Sequence, residues 1–467
     1  MKKLIAFILI LTILAMGGIV VIANAINADK DTVTHTEKVI YGDSAIANGI
    51  TVKSRSHYDN HLVWDSVYTV GYETETEFDF HYGNYYANGK PKLSGFIMHN
   101  SIHYGFNTTL PASEQLGISK VYKQLYDTLD YDEEGSATVR LADHYDYYPL
   151  DTHVNLPGLY WNADSYSADP DSYGFSSSSV SNDKETYDKI CEFFKIPVLE
   201  EEYVDINVKK HRNGMGYGHS WSEKSADNYS MSSCSTYTDK VCFIYISNRT
   251  ENGEIMNFSN IPGGYGIYAL PYSGEKLNVD ELSMVYALNA ETVVQYMMIS
   301  NDGSKLLMMV YEKDGTYLEV VDTKTMTQLQ KLKIYGESYH TVFPKDGFIA
   351  IEFQSKIAVI EEFTDGRYEL KFVADKFDSA HTDREYFHLK TGAAMDFNGE
   401  RLVIVDNISS DESGWYDKCG FFIAVYDRDG LCYYAEYESS LDANWSSSNH
   451  YEFNCQPLTG FEVKWGK

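Results

Sequence analysis

Three features of the sequence predict an all-β fold of repeated four-stranded sheets. Tyrosine is the first: it fills 40 of 467 positions, in a chain that is 43% hydrophobic and 15% aromatic. Tyrosine, valine and threonine suit half-buried pleated sheet, where a ring or branched carbon packs and a hydroxyl reaches water. The second is the alternation of apolar runs with Asp-Gly or Asn-Gly turns across 300–325, 344–375 and 396–437. Two-residue hairpin turns need positive φ, which glycine adopts without strain. The third is spacing. The leading turn glycines, Gly303, Gly347 and Gly399, lie 44 and 52 residues apart, about the length of one four-stranded propeller blade. With roughly 45 to 60 residues per blade, residues 39–467 make a β-propeller of about seven four-stranded blades, six or eight being the neighbouring counts.

The N-terminus comes first in chain order. Lys2 and Lys3 precede an uncharged apolar run from Leu4 to Ala23, which predicts one N-terminal hydrophobic helix. Basic residues before such a run keep the start of the chain in the cytoplasm and send the remainder across. The run is long enough to span a bilayer, while Ala23-Asn24-Ala25 also fits small-x-small signal cleavage. Residues 1–28 are therefore a signal peptide or a single-pass membrane anchor, residues 29–38 a polar stalk, and residues 39–467 one propeller domain. The expected location is the cell membrane with an extracytoplasmic domain, secretion being the alternative. No cysteine follows the run, which excludes a lipoprotein anchor.

Within the domain, residues 50–56 and 62–70 alternate at period two around Tyr58-Asp59-Asn60, which predicts a hairpin. Residues 112–129 and 184–196 carry apolar side chains at helical spacing and are expected as short helical insertions. Residues 239–260 and 266–288 each read as a hairpin. The C-terminal "LTGFEVKWGK" alternates again and is expected to pair with the hairpin at 50–70, joining the two ends of the chain.

The segment "SNDGSKLLMMVYEKDGTYLEVVDTKT" resembles the repeat of TolB-like, WD-related β-propellers of the bacterial cell envelope. Ser300, Asp302 and Gly303 match the opening turn, Asp314 and Gly315 the middle turn, and Val320, Val321 and Asp322 the closing strand end; Asn301 stands where proline is usual. The match is good for this repeat and looser for the two that follow, about a third of the chain in all. The resemblance implies a propeller fold and a scaffold or protein-binding role; repeats of this kind speak to fold more than to function.

Candidate chemistry is sparse. His57 and His61, four apart with Asp59 between, have the spacing of a helical metal motif. The period there is two, however, so they are expected to face each other across a hairpin mouth, either as two metal ligands or as part of a polar turn. Asp130, Asp132 and Glu134 before Gly135 begin like a calcium loop, but Leu141 stands where that loop needs its glutamate. Asp164, Asp169 and Asp171 form a similar acidic stretch. Ser220 and Ser338 lack the second glycine of a nucleophile elbow, and no phosphate-binding glycine loop is present. Of the six cysteines, Cys234 and Cys242 sit symmetrically about Thr238 and are expected to bridge a hairpin, free thiols being the alternative. Cys419 and Cys432 flank a turn at Asp427–Gly430 in a register that keeps them apart.

The net charge of −30, from 68 acidic and 38 basic residues, repels phosphate backbones and argues against a nucleic-acid partner. The sequence therefore predicts a non-catalytic extracytoplasmic propeller that binds protein or glycan at the cell envelope. No cofactor is expected, calcium being the one candidate ion. The second reading is an envelope glycan-acting hydrolase or lyase with carboxylates in the propeller channel.

Overall fold

Seven antiparallel sheets account for the strands among the described residues. The structure is a computed structural model. It describes residues 11–18, 20, 34–58, 62–80, 95–100, 109, 111–115, 117–163, 184–212, 214–274, 276–376, 389, 393–408, 420–440 and 458–466. The chain divides into two compact units, Met1–Pro91 with Glu337–Lys467, and Lys92–Gly336.

The first unit holds three sheets. One is a meander of Tyr339–Lys345, Phe348–Phe353, Lys356–Glu362 and Tyr368–Asp375. The next runs Ala394–Phe397, Leu402–Asn407, Gly420–Asp427 and Gly430–Ser439, and gains a fifth strand, His35–Gly42, from the other end of the chain. The third is Thr51–Tyr58, Leu62–Thr69 and Glu75–Phe80, completed by the C-terminal strand Thr459–Lys464. The expected pairing of the two ends is thus present: Val52 opposes Val463 and Thr51 opposes Lys464.

The apolar runs in the five-stranded sheet are continuous because both its faces are buried, and alternate residues serve different cores. Leu402, Ile404, Phe422 and Ala424 pack toward the 339–375 meander. Val403, Val405, Phe421 and Ile423 pack with Val52, Tyr68 and Val463. The N-terminal strand is further fixed by polar contacts. Tyr433 donates to Glu37 Oε1 at 2.6 Å, and the hydroxyls of Tyr433 and Tyr437 are 2.6 Å apart. His35 lies against Tyr68 and Phe421, and burial lowers its pKa to about 4.

The second unit holds four sheets. Val293–Ile299, Lys305–Glu312, Gly315–Asp322 and Gln328–Tyr335 form the meander that carries the clearest repeat. Its Asp302-Gly303 turn works as the sequence implies, with Gly303 at φ +73° and Asp302 accepting from Ser300 and Ser304. A second sheet runs Ser233–Tyr237, Val241–Ile246, Gly266–Ser273 and Ser283–Ala287, with Lys276–Leu277 beside it. A third, Gly95–Asn100, Leu150–Leu156 and Leu159–Ala163, lies directly against the second. The Phe96 N–H donates to Ser235 Oγ at 2.9 Å and the Met98 N–H to Ser233 Oγ at 2.6 Å.

The fourth sheet, Gly214–Trp221, Tyr203–His211 and Glu134–Arg140, is built from two segments that flank the strands at 150–163. This accessory sheet comes with both expected helices, α1 (Ser119–Thr128) and α2 (Lys184–Phe193). Tyr122, Ile190, Val204, Ile206 and Val208 join one core with Phe96, Met98 and Ile244.

Several expectations are corrected. Residues 239–260 are not a hairpin, because Val241–Ile246 pairs with the strands on either side of it. Its turn with Ser233–Tyr237 sets Cys242 opposite Tyr237 and Cys234 opposite Tyr245. The two cysteines therefore do not meet, and both are free thiols, which burial pushes up to about 12. Cys432 is free as well, while Cys419 lies outside the described residues. The sheets hold three, four or five strands rather than four throughout, and the strand at His35 begins within the stretch expected as stalk. Among the described residues no helix is long and apolar enough to cross a membrane.

The pairing of the chain ends carries a measurable share of stability. Val463 is buried against fully buried Val52, so Val463→Ala is expected to cost about 2 kcal/mol, and exposed Lys464→Ala less than about 0.5 kcal/mol. Urea unfolding of both variants distinguishes them; equal midpoints would show that the C-terminal strand is only loosely held.

Candidate functional site

The two metal candidates read from the sequence take different places from those expected. His57 opposes Val63, and Tyr58 opposes Leu62, so the turn is one residue later than the pattern suggested. His57 therefore does not face His61, which lies outside the described residues together with Asp59. Asp164, Asp169 and Asp171 also lie outside them.

Asp130, Asp132 and Glu134 form a strand entry in place of a cation loop. Asp132 N–H and Lys210 N–H bond to Lys210 O and Glu133 O respectively, so two residues oppose one in a β-bulge. That bulge holds Asp132 at φ +72°, a conformation aspartate tolerates better than most. The carboxylates then diverge. Asp132 lies 3.6 Å from Arg212 and Glu134 lies 3.9 Å from Lys209, while Glu133 accepts from the Asp130 N–H. Among the described residues no group of three or more His, Cys, Asp or Glu is placed to hold a metal ion.

The bulge opens onto the most distinctive surface of the second unit. Strand alternation divides the accessory sheet into an inner face, Val139, Val204, Ile206 and Val208, and an outer face that is polar. The outer face carries Glu134, Ser136 and Thr138, then Asp205, Asn207 and Lys209, then Gly216, Gly218 and Ser220, in register across the three strands. Thr138 Oγ1 donates to Asp205 at 2.6 Å, and Arg140 Nε donates to Glu200 O at 2.8 Å. A Cβ added at Gly218 would meet nothing within 4 Å, so the floor of this face is open along the last strand. Its donors and acceptors are arranged flat, which suits contact with another surface or a hydroxyl-rich chain more than enclosure of a small molecule.

This sheet has a signature in the sequence. Val204, Ile206 and Val208 alternate with Asp205, Asn207 and Lys209, the pattern of a half-buried strand, and Asn213-Gly214 marks the hairpin that follows.

Where this sheet joins the core sits a buried carboxyl. Glu202 is 0% exposed. It accepts from the Tyr148 hydroxyl and from the Tyr229 N–H at 3.3 Å, while the Leu199 N–H donates to Tyr148 Oη at 3.3 Å. Burial raises the Glu202 pKa to about 7 despite these bonds, and Glu251 adds to the shift. Tyr148 is raised too, first by burial and then by Glu202. Two further buried carboxyls are also held by the fold: Glu352 by Lys376 and Glu319 by Tyr286.

No family model matches the chain, and no curated protein matches it. Among solved structures it is similar to a protein from Lactobacillus plantarum, at 9% identity over 81% of this chain and 92% of that one, with a TM-score of 0.27. A putative 6-phosphogluconolactonase from Bacteroides uniformis shows 7% identity over 89% and 99%, with a TM-score of 0.28. TolB from Acinetobacter baumannii shows 10% identity over 90% and 84%, with a TM-score of 0.24. Likenesses this distant carry no argument about the chemistry of this chain.

Glu202 makes stability depend on pH with a definite sign. Its folded pKa, about 7, lies above the ordinary value of 4.5, so the folded chain keeps a proton that the unfolded chain has lost. That stabilisation is complete below the ordinary value and is lost as pH rises through about 7. Glu202→Gln stays neutral, so its stability relative to the parent is expected to rise by up to about 3 kcal/mol between acid and mildly alkaline pH. Urea unfolding of both proteins across that range checks it; a constant difference would mean that Glu202 titrates normally.

Proposed function

We propose that this protein is a non-catalytic, extracytoplasmic β-propeller acting as a binding scaffold for protein or glycan at the cell envelope, with residues 1–28 serving as membrane anchor or signal. In this reading the accessory sheet is an addition to the propeller. The observation that supports it is the polar outer face of the accessory sheet. A sheet face turned to solvent, next to an edge strand of alternating glycines, is shaped for contact with another surface. The buried carboxyls described above serve as partners of tyrosine or lysine within the fold, which fits a structural task for them.

The test uses Gly218→Trp, which adds bulk at a position where a Cβ meets nothing within 4 Å. The parent is expected to co-sediment with purified envelope fractions, both wall glycan and membrane vesicles. The variant is expected to keep the parent's unfolding midpoint and to bind at least about tenfold more weakly. Release of new reducing ends from the glycan by the parent would favour the hydrolase or lyase reading, and equal binding by the variant would place the contact elsewhere.

A further inference from the structure

We propose that the edge strand Gly214–Trp221 accepts an extended, net-basic segment of a partner protein as an added β-strand. This inference rests on the scaffold reading above and names the kind of partner that the accessory sheet would hold. Among the described residues the strand ends its sheet, and it pairs with Tyr203–His211 over eight consecutive residues without a register shift. The Ser222 N–H bonds to Tyr203 O, which fixes the phase of the ladder. Residues of the opposite phase, Met215 and Tyr217, therefore turn their N–H and C=O groups away from the sheet.

Natural edge strands are usually blunted by charge, proline, bulges or short length. Here the segment GMGYGHSW has no acidic residue, lysine, arginine or proline, and no bulge. Several outer strands of other sheets carry charge: Glu75 and Glu77 in one, Lys331 and Lys333 in another, Glu369 and Lys371 in a third, and Glu37 and Lys38 on the N-terminal strand; the uncharged Ser233–Tyr237 is instead covered by Gly95–Asn100 and Val293–Ile299. The absence of such protection along eight residues marks an edge suited to strand addition.

The side chains describe the occupant. Gly216 and Gly218 leave room on one face for bulky residues of an added strand, with open space above Gly218. On the other face Tyr217, 49% exposed and set edge-on against Tyr122, offers a ring to pack on. Backbone bonding supplies affinity, and side chains at alternate positions supply selectivity. Charge then favours a cationic segment: a chain of net charge −30 attracts one and repels a second copy of itself.

The probe is a fluorescein-labelled peptide of about nine residues that alternates lysine with valine or phenylalanine, measured at about 0.15 M salt to screen long-range attraction. Binding by fluorescence anisotropy is expected to weaken at least about tenfold when every backbone amide of the peptide is N-methylated, with its charge unchanged. Tyr217→Pro, which removes an outward N–H and leaves the internal ladder intact, is expected to weaken binding as much, and Tyr217→Phe to leave it unchanged. Should the proline variant fail to fold, the methylated peptide on the parent protein still decides the matter. Equal binding of both peptides would overturn the proposal by showing attraction through charge alone. Sedimentation of the parent as a dimer that the peptide does not dissociate would overturn it in favour of a second copy. Peptide capture at Tyr217 without any envelope binding would leave this edge in place while removing the wider scaffold reading.

Discussion

The first unit depends on strands exchanged between the two ends of the chain. The sheet that begins at Thr51 is completed by Thr459–Lys464, and the sheet that ends at Ser439 is extended by His35–Gly42. Each end therefore fills a place that sequence neighbours leave open, and Val52 and Val463 share one core with Tyr433 and Tyr437. Contacts of such long sequence separation are slow to form, because loop closure precedes any gain from burial. Once formed, they deny each end the freedom to fray.

A second constraint follows from burial on both faces. The runs at Leu402–Asn407 and Gly420–Asp427 are apolar at nearly every position because neighbouring side chains serve separate cores. The accessory sheet obeys a different rule. With one face in the core and the other in water, its strands alternate apolar and polar residues, and at Gly214–Trp221 glycine replaces the polar set. Its outer strand, Gly214–Trp221, is also without charge. Glu202 stands at its root, so the docking of this sheet and its response to pH share one residue.

Much of the fold was legible because it is local. Asp-Gly turns at Gly303 and Gly347 announce their hairpins, and period two at Leu62–Thr69 and Thr459–Lys464 announces strands that the structure pairs. Registers were less legible. Cys234 pairs with Tyr245, three residues beyond Cys242, and His57 with Val63, two residues beyond His61, shifts that turn length alone decides. The site was scarcely legible at all. Asp130, Asp132 and Glu134 suggested cation binding because their spacing was visible, whereas the bulge that turns them apart depends on Lys210, far along the chain. The accessory sheet joins segments separated by two intervening strands, and no local pattern places Glu134 beside Lys209 or Glu202 beneath Tyr148.

Amide hydrogen exchange most directly tests the dependence of the first unit on its joined ends. Residues 51–56 and 459–464 are expected to exchange as slowly as 433–437, through the same cooperative opening, because no smaller unit exposes them. Exchange of 459–464 within seconds while 433–437 remains protected would contradict it, showing a C-terminal strand that lies on a sheet already complete without it.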